Sequence, residues 1–345
     1  MLQLTLTEIE KITLGAVNVT QDSQGVTLHR FSETEEKLYI ELDEKRNRND
    51  SVRVMSPAGI KLAFRTNSKT LRMTADFYFS SRNFYAFDIF ENGKLLTSLK
   101  SFNESELPFM YSEYSGFCEK PGHFDREIAL SNGEKDILIH LPWSVKMHNF
   151  TISLDDGATL IPTEKPAKKI ICYGDSISQG FDALYPHRRY TAQLAAALDA
   201  EEINKAIGGE FFNPALAECK ADFTPDYITA AYGVNDWLND KYECFEENAR
   251  EFYRALSKNY PDSKIFAITP IWTSVCNEER KVGSFSFLDE HITAVTADLP
   301  NVTVIHGDAL VPHYIDLFAD LYLHPSDAGF DFYAMNLIRE IRKHI

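Results

Sequence analysis

The chain has 345 residues, 44% of them hydrophobic, and its 35 lysines and arginines against 51 aspartates and glutamates give a net charge of −16. This is a globular composition, and the length suits two domains that each bury a core. Proteins that bind phosphates need clustered basic side chains, so the acidity argues against nucleic acid and anionic membranes as partners.

No apolar run approaches the ~20 residues of a transmembrane helix, and the first ten residues lack the basic and apolar regions of a leader. The cysteines are Cys118, Cys172, Cys219, Cys244 and Cys276. They are odd in number and widely spaced with no CxxC pair, which favours reduced thiols over disulfides or zinc. We therefore expect a cytoplasmic protein without membrane association. The sequence leaves a monomer and a homo-oligomer both open.

The first half of the chain predicts an all-β domain. Short apolar or alternating runs typical of strands occur at residues 37–42, 73–79, 137–141 and 150–154. Asn92-Gly93 lies between two such runs and predicts a hairpin, and Asn132-Gly133 and Asp156-Gly157 repeat the turn signal. Because no long helical window stands out, we expect a β-sandwich of the jelly-roll type.

Residues 161–169 hold two prolines and three lysines, a composition typical of a linker. We place the domains at 1–165 and 166–345. Beyond the linker, buried-strand runs alternate with helical ones, which predicts an α/β domain with a parallel sheet and helices on both faces. Strands are expected near 169–173, 226–232, 264–269 and 301–306, and helices near 189–198, 243–258, 287–298 and from 327. The first half carries a net charge of −5 and the second −11.

In open parallel sheets, ligands bind beyond the carboxyl ends of the strands. There the sequence places Ser176, the pair Gly208-Gly209, and Asn235, while His324 precedes the last helix. Acyl transfer by a serine needs a hydroxyl, a base, a group that orients the base, and donors for the oxyanion. Ser176 is the candidate nucleophile and His324 the base. The Gly209 and Ser176 N–H groups and the Asn235 amide form the candidate oxyanion hole, and this chemistry requires no metal or organic cofactor.

These residues resemble the SGNH or GDSL hydrolases, which carry Ser, Gly, Asn and His in four sequence blocks. Gly174-Asp175-Ser176 matches the first block, Gly209 the second, Gly233-x-Asn235-Asp236 the third and His324-Pro325 the last. The resemblance covers residues from about 168 onward. It implies a flavodoxin-like three-layer domain with esterase or acylhydrolase activity on small acyl groups. With a β-sandwich before it, the arrangement is similar to bacterial carbohydrate esterases that remove acetyl groups from sugars.

The last block departs from the family pattern. The family usually has an aspartate three residues before the histidine, where this chain has Leu321, and the nearest acid is Asp320, four residues before His324. Either the loop is one residue longer and Asp320 still orients His324, or a backbone carbonyl does so and the site is a dyad.

Each candidate also has a plain structural reading. Ser176 is also suited to a helix N-cap and Asn235 to a turn. Asp175 is expected to brace the serine loop, while Trp237 and Tyr185 are candidates for substrate contact. The other histidines form no HExxH pair, and the chain lacks GxSxG, Walker and GxGxxG motifs, so metal, nucleotide and other serine-hydrolase sites are not predicted.

The sequence therefore predicts a serine esterase that cleaves short acyl esters, acetyl foremost, on a small molecule or carbohydrate. A neutral substrate suits the acidic second half, because like charges would slow the approach of an anion. Two alternatives stay open: an acyltransferase that uses the same serine, and a carbohydrate-binding protein without turnover.

Overall fold

The computed structural model describes residues 1–23, 25–46, 50–82, 84–103, 122–239 and 241–345. The chain divides into two compact units. The first contains residues 1–32, 51–165 and 185–187, and the second contains 33–50, 166–184 and 188–345. The two units divide between residues 165 and 166. In addition, one segment from the N-terminal half of the sequence packs with the C-terminal half.

The first unit is a β-sandwich, as predicted. Its strands are β1 (Leu2–Gln3), β2 (Thr13–Leu14), β3 (Asn18–Asp22), β4 (Gly25–His29), β5 (Lys61–Thr66), β6 (Thr70–Phe79), β7 (Ala86–Glu91), β8 (Lys94–Lys100), β9 (Gly122–Ala129), β10 (Lys135–His140), β11 (Val145–Leu154) and β12 (Ile161–Pro162). One antiparallel sheet has the order β3-β4-β11-β6-β9 with β1 beside β11, and the other has the order β12-β5-β10-β7-β8 with β2 beside β5. The core between them contains Leu71 and Ile152 from the first sheet and Leu62 and Ile139 from the second, all fully buried.

The predicted hairpin at Asn92-Gly93 is confirmed. Both residues have positive φ, 51° and 74°, and β7 and β8 pair directly on either side of them. Gly133 and Gly157 also have positive φ, at turns that follow β9 and β11. These two turns connect strands of different sheets, so the chain crosses the sandwich there and forms no hairpin.

The strand expected at 37–42 is wrong, because these residues lie in a helix. The N-terminal half has helices α1 (Leu6–Ile12), α2 (Glu33–Arg46) and α3 (Asp50–Val54). In α2 the buried side chains are Glu35 and Tyr39, whereas Ile40 is 54% exposed. Because polar residues form the buried face, α2 lacks the apolar period that identifies most amphipathic helices. Acidic residues in its first turn and basic ones in its last complement the helix dipole.

The second unit has the alternating order that the sequence predicts. Its elements are β13 (Lys168–Gly174), α4 (Ser176–Gln179), α5 (Tyr190–Ala197), β14 (Ala200–Asn204), α6 (Pro214–Glu218), β15 (Tyr227–Ala231), α7 (Val234–Leu238), α8 (Tyr242–Asn259), β16 (Lys264–Ile268), α9 (Phe285–Thr296), β17 (Val302–Ile305) and α10 (Asp327–Ile341). The sheet is parallel with the order β14-β13-β15-β16-β17, the order of flavodoxin-like folds. The α/β fold is confirmed.

Across the described ranges, no helix has both the length and the apolar character to cross a membrane. Of the cysteines, Cys172, Cys219, Cys244 and Cys276 form no disulfide with one another, and Cys118 lies outside the described residues.

A buried ion pair fixes α2 in the second unit. Glu35 on α2 pairs with Lys205, which directly follows β14, and both side chains are at most 2% exposed. We expect Glu35→Gln to lower the free energy of unfolding by about 3–5 kcal/mol, because it leaves a buried ammonium without its counter-charge. Chemical denaturation followed by tryptophan fluorescence measures this. The double variant Glu35→Gln/Lys205→Met should recover most of the loss. Equal stability of the single variant and the parent would contradict the expectation.

Candidate active site

The predicted residues gather where the order of the parallel sheet reverses, beyond the carboxyl ends of β13, β14 and β15. Ser176 is the first residue of α4, two residues after the end of β13. Gly209 lies five residues after β14, and Asn235 is the second residue of α7, which follows β15. Strands β14 and β15 lie on opposite sides of β13. The connections that follow them therefore diverge, which leaves a crevice at this point of the sheet.

The turn that carries Ser176 is braced by its neighbours. The Asp175 carboxylate accepts a hydrogen bond from the Ile177 N–H at 3.0 Å and caps α4, the bracing role expected for it. A Cβ at Gly174 would lie 2.2 Å from Ser178 Oγ, so only glycine fits before the turn. Burial raises the pKa of Asp175 to about 7, and the bond from Ile177 offsets part of this effect.

Ser176, His324 and Asp320 form one hydrogen-bonded line. The Ser176 Oγ lies 2.8 Å from His324 Nε2, and His324 Nδ1 lies 2.7 Å from Asp320 Oδ2. With the Nδ1–H donating to the carboxylate, Nε2 is left to accept the serine proton. Of the two arrangements left open by the sequence, the structure has the one in which Asp320 contacts His324.

The loop accommodates its extra residue by a left-handed backbone at Leu321, which has a φ of 54°. Asp320 Oδ1 accepts three backbone N–H bonds, from Tyr322, Leu323 and His324, at 2.8–3.0 Å. Burial acts to raise the pKa of Asp320, but the bonds from the His324 ring and these N–H groups outweigh it and lower the pKa to about 2. Asp320 therefore stays ionised beside the histidine at neutral pH.

A second acid near His324 was missed by the sequence analysis. Asp182 Oδ2 lies 3.5 Å from His324 Nδ1, and the Asp182 side chain is fully buried. The ring of Phe181 stacks on the His324 ring with centroids 5.5 Å apart. Asp182 belongs to no four-block motif, so only its place six residues after Ser176 could have drawn attention to it.

Asp182, Asp320 and His324 could offer three metal-ligand atoms within 4.8 Å of one another. The histidine atom nearest both acids is Nδ1, which already hydrogen-bonds to Asp320. A metal on Nδ1 would therefore displace the bond that orients the base.

The candidate oxyanion donors lie on a tight turn and a short helix. The Gly208 N–H donates to Gln179 Oε1 at 2.8 Å, an internal bond of the protein. Gly209 has a φ of 77°, and the Glu210 N–H donates to the Ile207 carbonyl oxygen, as in a type II turn. Asn235 is 8% exposed. Its Nδ2 donates one hydrogen to the Glu210 carbonyl oxygen at 3.1 Å, and an amide carries a second.

The two residues after Asn235 have structural roles. Burial raises the pKa of Asp236 to about 7, while a bond from the Phe212 N–H lowers it, so this acid braces the loop at residue 212. The Trp237 side chain is fully buried and donates to the Gly283 carbonyl oxygen at 2.9 Å. The expected substrate contact at Trp237 is therefore wrong. Tyr185 groups with the first unit, where its hydroxyl accepts a bond from Lys100 at 3.4 Å.

Comparisons with solved structures find the same fold across nearly the whole chain. A salicylyl-acyltransferase, SsfX3, from a tetracycline biosynthetic pathway is 20% identical with a TM-score of 0.75, covering 96% of this chain and 94% of its own. The acetyl xylan esterase Est2A from the rumen bacterium Butyrivibrio proteoclasticus is 14% identical with a TM-score of 0.62, covering 99% and 98%. A family two carbohydrate esterase from Clostridium thermocellum in complex with cellohexaose is 16% identical with a TM-score of 0.58, covering 84% and 95%.

A search of curated proteins gave no match. The model of the GDSL-like lipase/acylhydrolase family matches residues 172–332, which contain Ser176, Gly209, Asn235 and His324. The four sequence blocks, the parallel sheet and the family match all lie in the same C-terminal part of the chain. The C-terminal part of the chain is therefore a GDSL-like lipase/acylhydrolase domain of the SGNH hydrolase type.

Proposed function

We propose that this protein is a serine esterase that removes short acyl groups, acetyl foremost, from a carbohydrate. The observation that carries the proposal is the hydrogen-bonded line from Ser176 through His324 to Asp320, with distances of 2.8 and 2.7 Å. A serine, a base and an ionised orienting acid at these distances are the parts that acyl transfer needs.

In this reaction Ser176 Oγ attacks the ester carbonyl carbon while His324 Nε2 takes the hydroxyl proton. The carbonyl oxygen becomes an oxyanion and accepts hydrogen bonds from the Gly209 N–H, the Ser176 N–H and the Asn235 amide. His324 then gives its proton to the leaving alcohol, which departs and leaves an acyl-enzyme on Ser176. A water molecule, deprotonated by His324, attacks the acyl group, and His324 returns the proton to Ser176 Oγ as the acid departs. Asp320 stabilises the imidazolium in both steps.

The substrate class rests on likeness and charge. Among the similar folds are an acetyl xylan esterase and a carbohydrate esterase with bound cellohexaose. Residues 166–345 hold 16 basic and 27 acidic side chains, a net charge of −11 that favours a neutral acylated sugar over an anionic ester. The same charge argues against nucleic acid as a partner. The cytoplasmic location remains a proposal that rests on the spacing of the cysteines.

An acyltransferase with the same serine is the second candidate. It is favoured by the likeness to the salicylyl-acyltransferase, which has a TM-score of 0.75. The two activities share the acyl-enzyme and differ in whether water or an alcohol accepts the acyl group. Adding a sugar acceptor to the assay separates them, because a transferase forms an acylated sugar faster than free acid. A carbohydrate-binding protein without turnover would show neither product.

A panel of nitrophenyl esters from acetyl to octanoyl, followed by acetylated sugars, tests the proposed esterase. We expect the highest kcat/KM for acetyl and a steady fall with chain length. Ser176→Ala should abolish turnover and labelling by a fluorophosphonate. Parent-like hydrolysis by Ser176→Ala would refute the nucleophile, and a preference for octanoyl would refute the proposed substrate class.

Asp320→Asn should lower kcat by roughly 10⁴-fold, because the amide no longer stabilises the imidazolium or fixes the correct tautomer. Steady-state kinetics on the acetyl ester measures the loss. The matched control is Asp182→Asn, which neutralises the other nearby acid. We expect it to lose less than tenfold, because 3.5 Å from Nδ1 is beyond a good hydrogen bond. A loss of only a few-fold in Asp320→Asn would show that the site works as a dyad.

A further inference from the structure

We propose that Arg46, on a helix from the N-terminal half of the sequence, is a positioning residue for the oxyanion hole. It holds Glu210, whose backbone carbonyl oxygen orients the amide of Asn235. The inference rests on the proposed function and deepens it, because it assigns part of the catalytic geometry to a residue outside the four sequence blocks.

Helix α2 presents one polar face to the rest of the second unit. Glu35, Tyr39 and Arg46 are spaced i, i+4 and i+11, which places them within about 40° of one another around a helix with 3.6 residues per turn. Glu35 pairs with Lys205, Tyr39 is fully buried, and Arg46 pairs with Glu210. Two ion pairs therefore connect this face to the segment that follows β14.

The Arg46 contact fixes the conformation of Glu210. Arg46 Nη1 lies 2.6 Å from Glu210 Oε1, and the Glu210 side chain is fully buried. The same oxygen accepts the Phe211 N–H at 2.9 Å, and the guanidinium lies 5.8 Å from the centre of the Phe211 ring. A buried carboxylate is stable only with its cation and donors in place, so losing Arg46 would force the side chain and its backbone to rearrange.

The backbone of Glu210 belongs to the candidate oxyanion hole. Its carbonyl oxygen accepts one of the two Asn235 amide hydrogens at 3.1 Å, which fixes the plane of the amide and hence the direction of the other hydrogen. Its N–H closes the Ile207–Glu210 turn that contains Gly209. A shift at Glu210 would therefore move two donors at once, and small displacements of preorganised donors are costly to catalysis.

The test compares Arg46→Met with the double variant Glu35→Gln/Lys205→Met, using the full chain and the acetyl ester. Both variants remove one α2 ion pair, but only the first disturbs Glu210. We expect Arg46→Met to lower kcat by roughly 10–100-fold with KM changed less than threefold, as for a displaced oxyanion donor. The double variant should keep kcat within about twofold. Arg46→Lys, which keeps the charge but not the planar fork, should fall between the parent and Arg46→Met.

The proposal is overturned if Arg46→Met keeps the parent kcat, if its loss lies in KM alone, or if the double variant loses kcat equally. If Arg46→Met does not fold, the comparison is made with Arg46→Lys, for which an unchanged kcat is the overturning result.

A second measurement does not depend on turnover. In ¹⁵N-labelled protein, the Asn235 side-chain amide and Gly209 N–H resonances should shift in the Arg46 variant and stay in place in the double variant. Unmoved resonances would overturn the proposal even if activity falls. If the parent shows no esterase activity, the proposed function fails, and these resonances still decide whether Arg46 positions the two donors.

Discussion

The catalytic unit depends on how its buried carboxylates are satisfied. An ionised carboxylate withdrawn from water is stable only beside a cation or several N–H donors. Glu202 is fully buried and forms an ion pair with Arg189 at 2.9 Å. Asp320 accepts hydrogen bonds from three backbone N–H groups and from the His324 ring. The first pairing holds Arg189, which precedes α5, against Glu202 on β14, and the second holds the loop that carries His324. Ion pairs and hydrogen bonds to carboxylates therefore help to keep the site rigid, together with apolar packing.

Glu202 is linked to the serine turn through Arg189 and Asn204. The Arg189 stem fills the space beside Gly180, where a Cβ would lie 2.1 Å from Arg189 Cδ. Asn204 donates to the Ser178 carbonyl oxygen at 2.8 Å and lies 3.3 Å from Glu202. The short helix that begins at Ser176 therefore rests on a polar network, which suits a nucleophile whose position has to be held to a fraction of an ångström.

The sequence was sufficient where local patterning and tertiary structure agree. The sandwich, the parallel sheet and the gathering of Ser176, Gly209, Asn235 and His324 at one edge follow from periodicity and from the rule that ligands bind beyond strand ends. It failed where a distant charge decides the outcome. Helix α2 shows no apolar period because its buried face pairs with Lys205 and Glu210, more than 160 residues away. Asp182 was not predicted because its contact with His324 corresponds to no local spacing in the sequence. The prediction for Trp237 was wrong because a position beside a motif does not indicate whether the side chain is buried.

Helix α2 also changes what counts as a module in this chain. The hydrolase sequence match begins at residue 172, yet the compact unit that contains it includes residues 33–50. Cutting the chain at the linker would separate Lys205 and Glu210 from their counter-charges and expose these two buried side chains to water. The β-sandwich and the hydrolase domain are thus not interchangeable parts joined end to end. Recombination at the linker would transfer the sequence motifs without α2, whose Glu35 and Arg46 pair with Lys205 and Glu210. The two halves of the chain are therefore expected to evolve together.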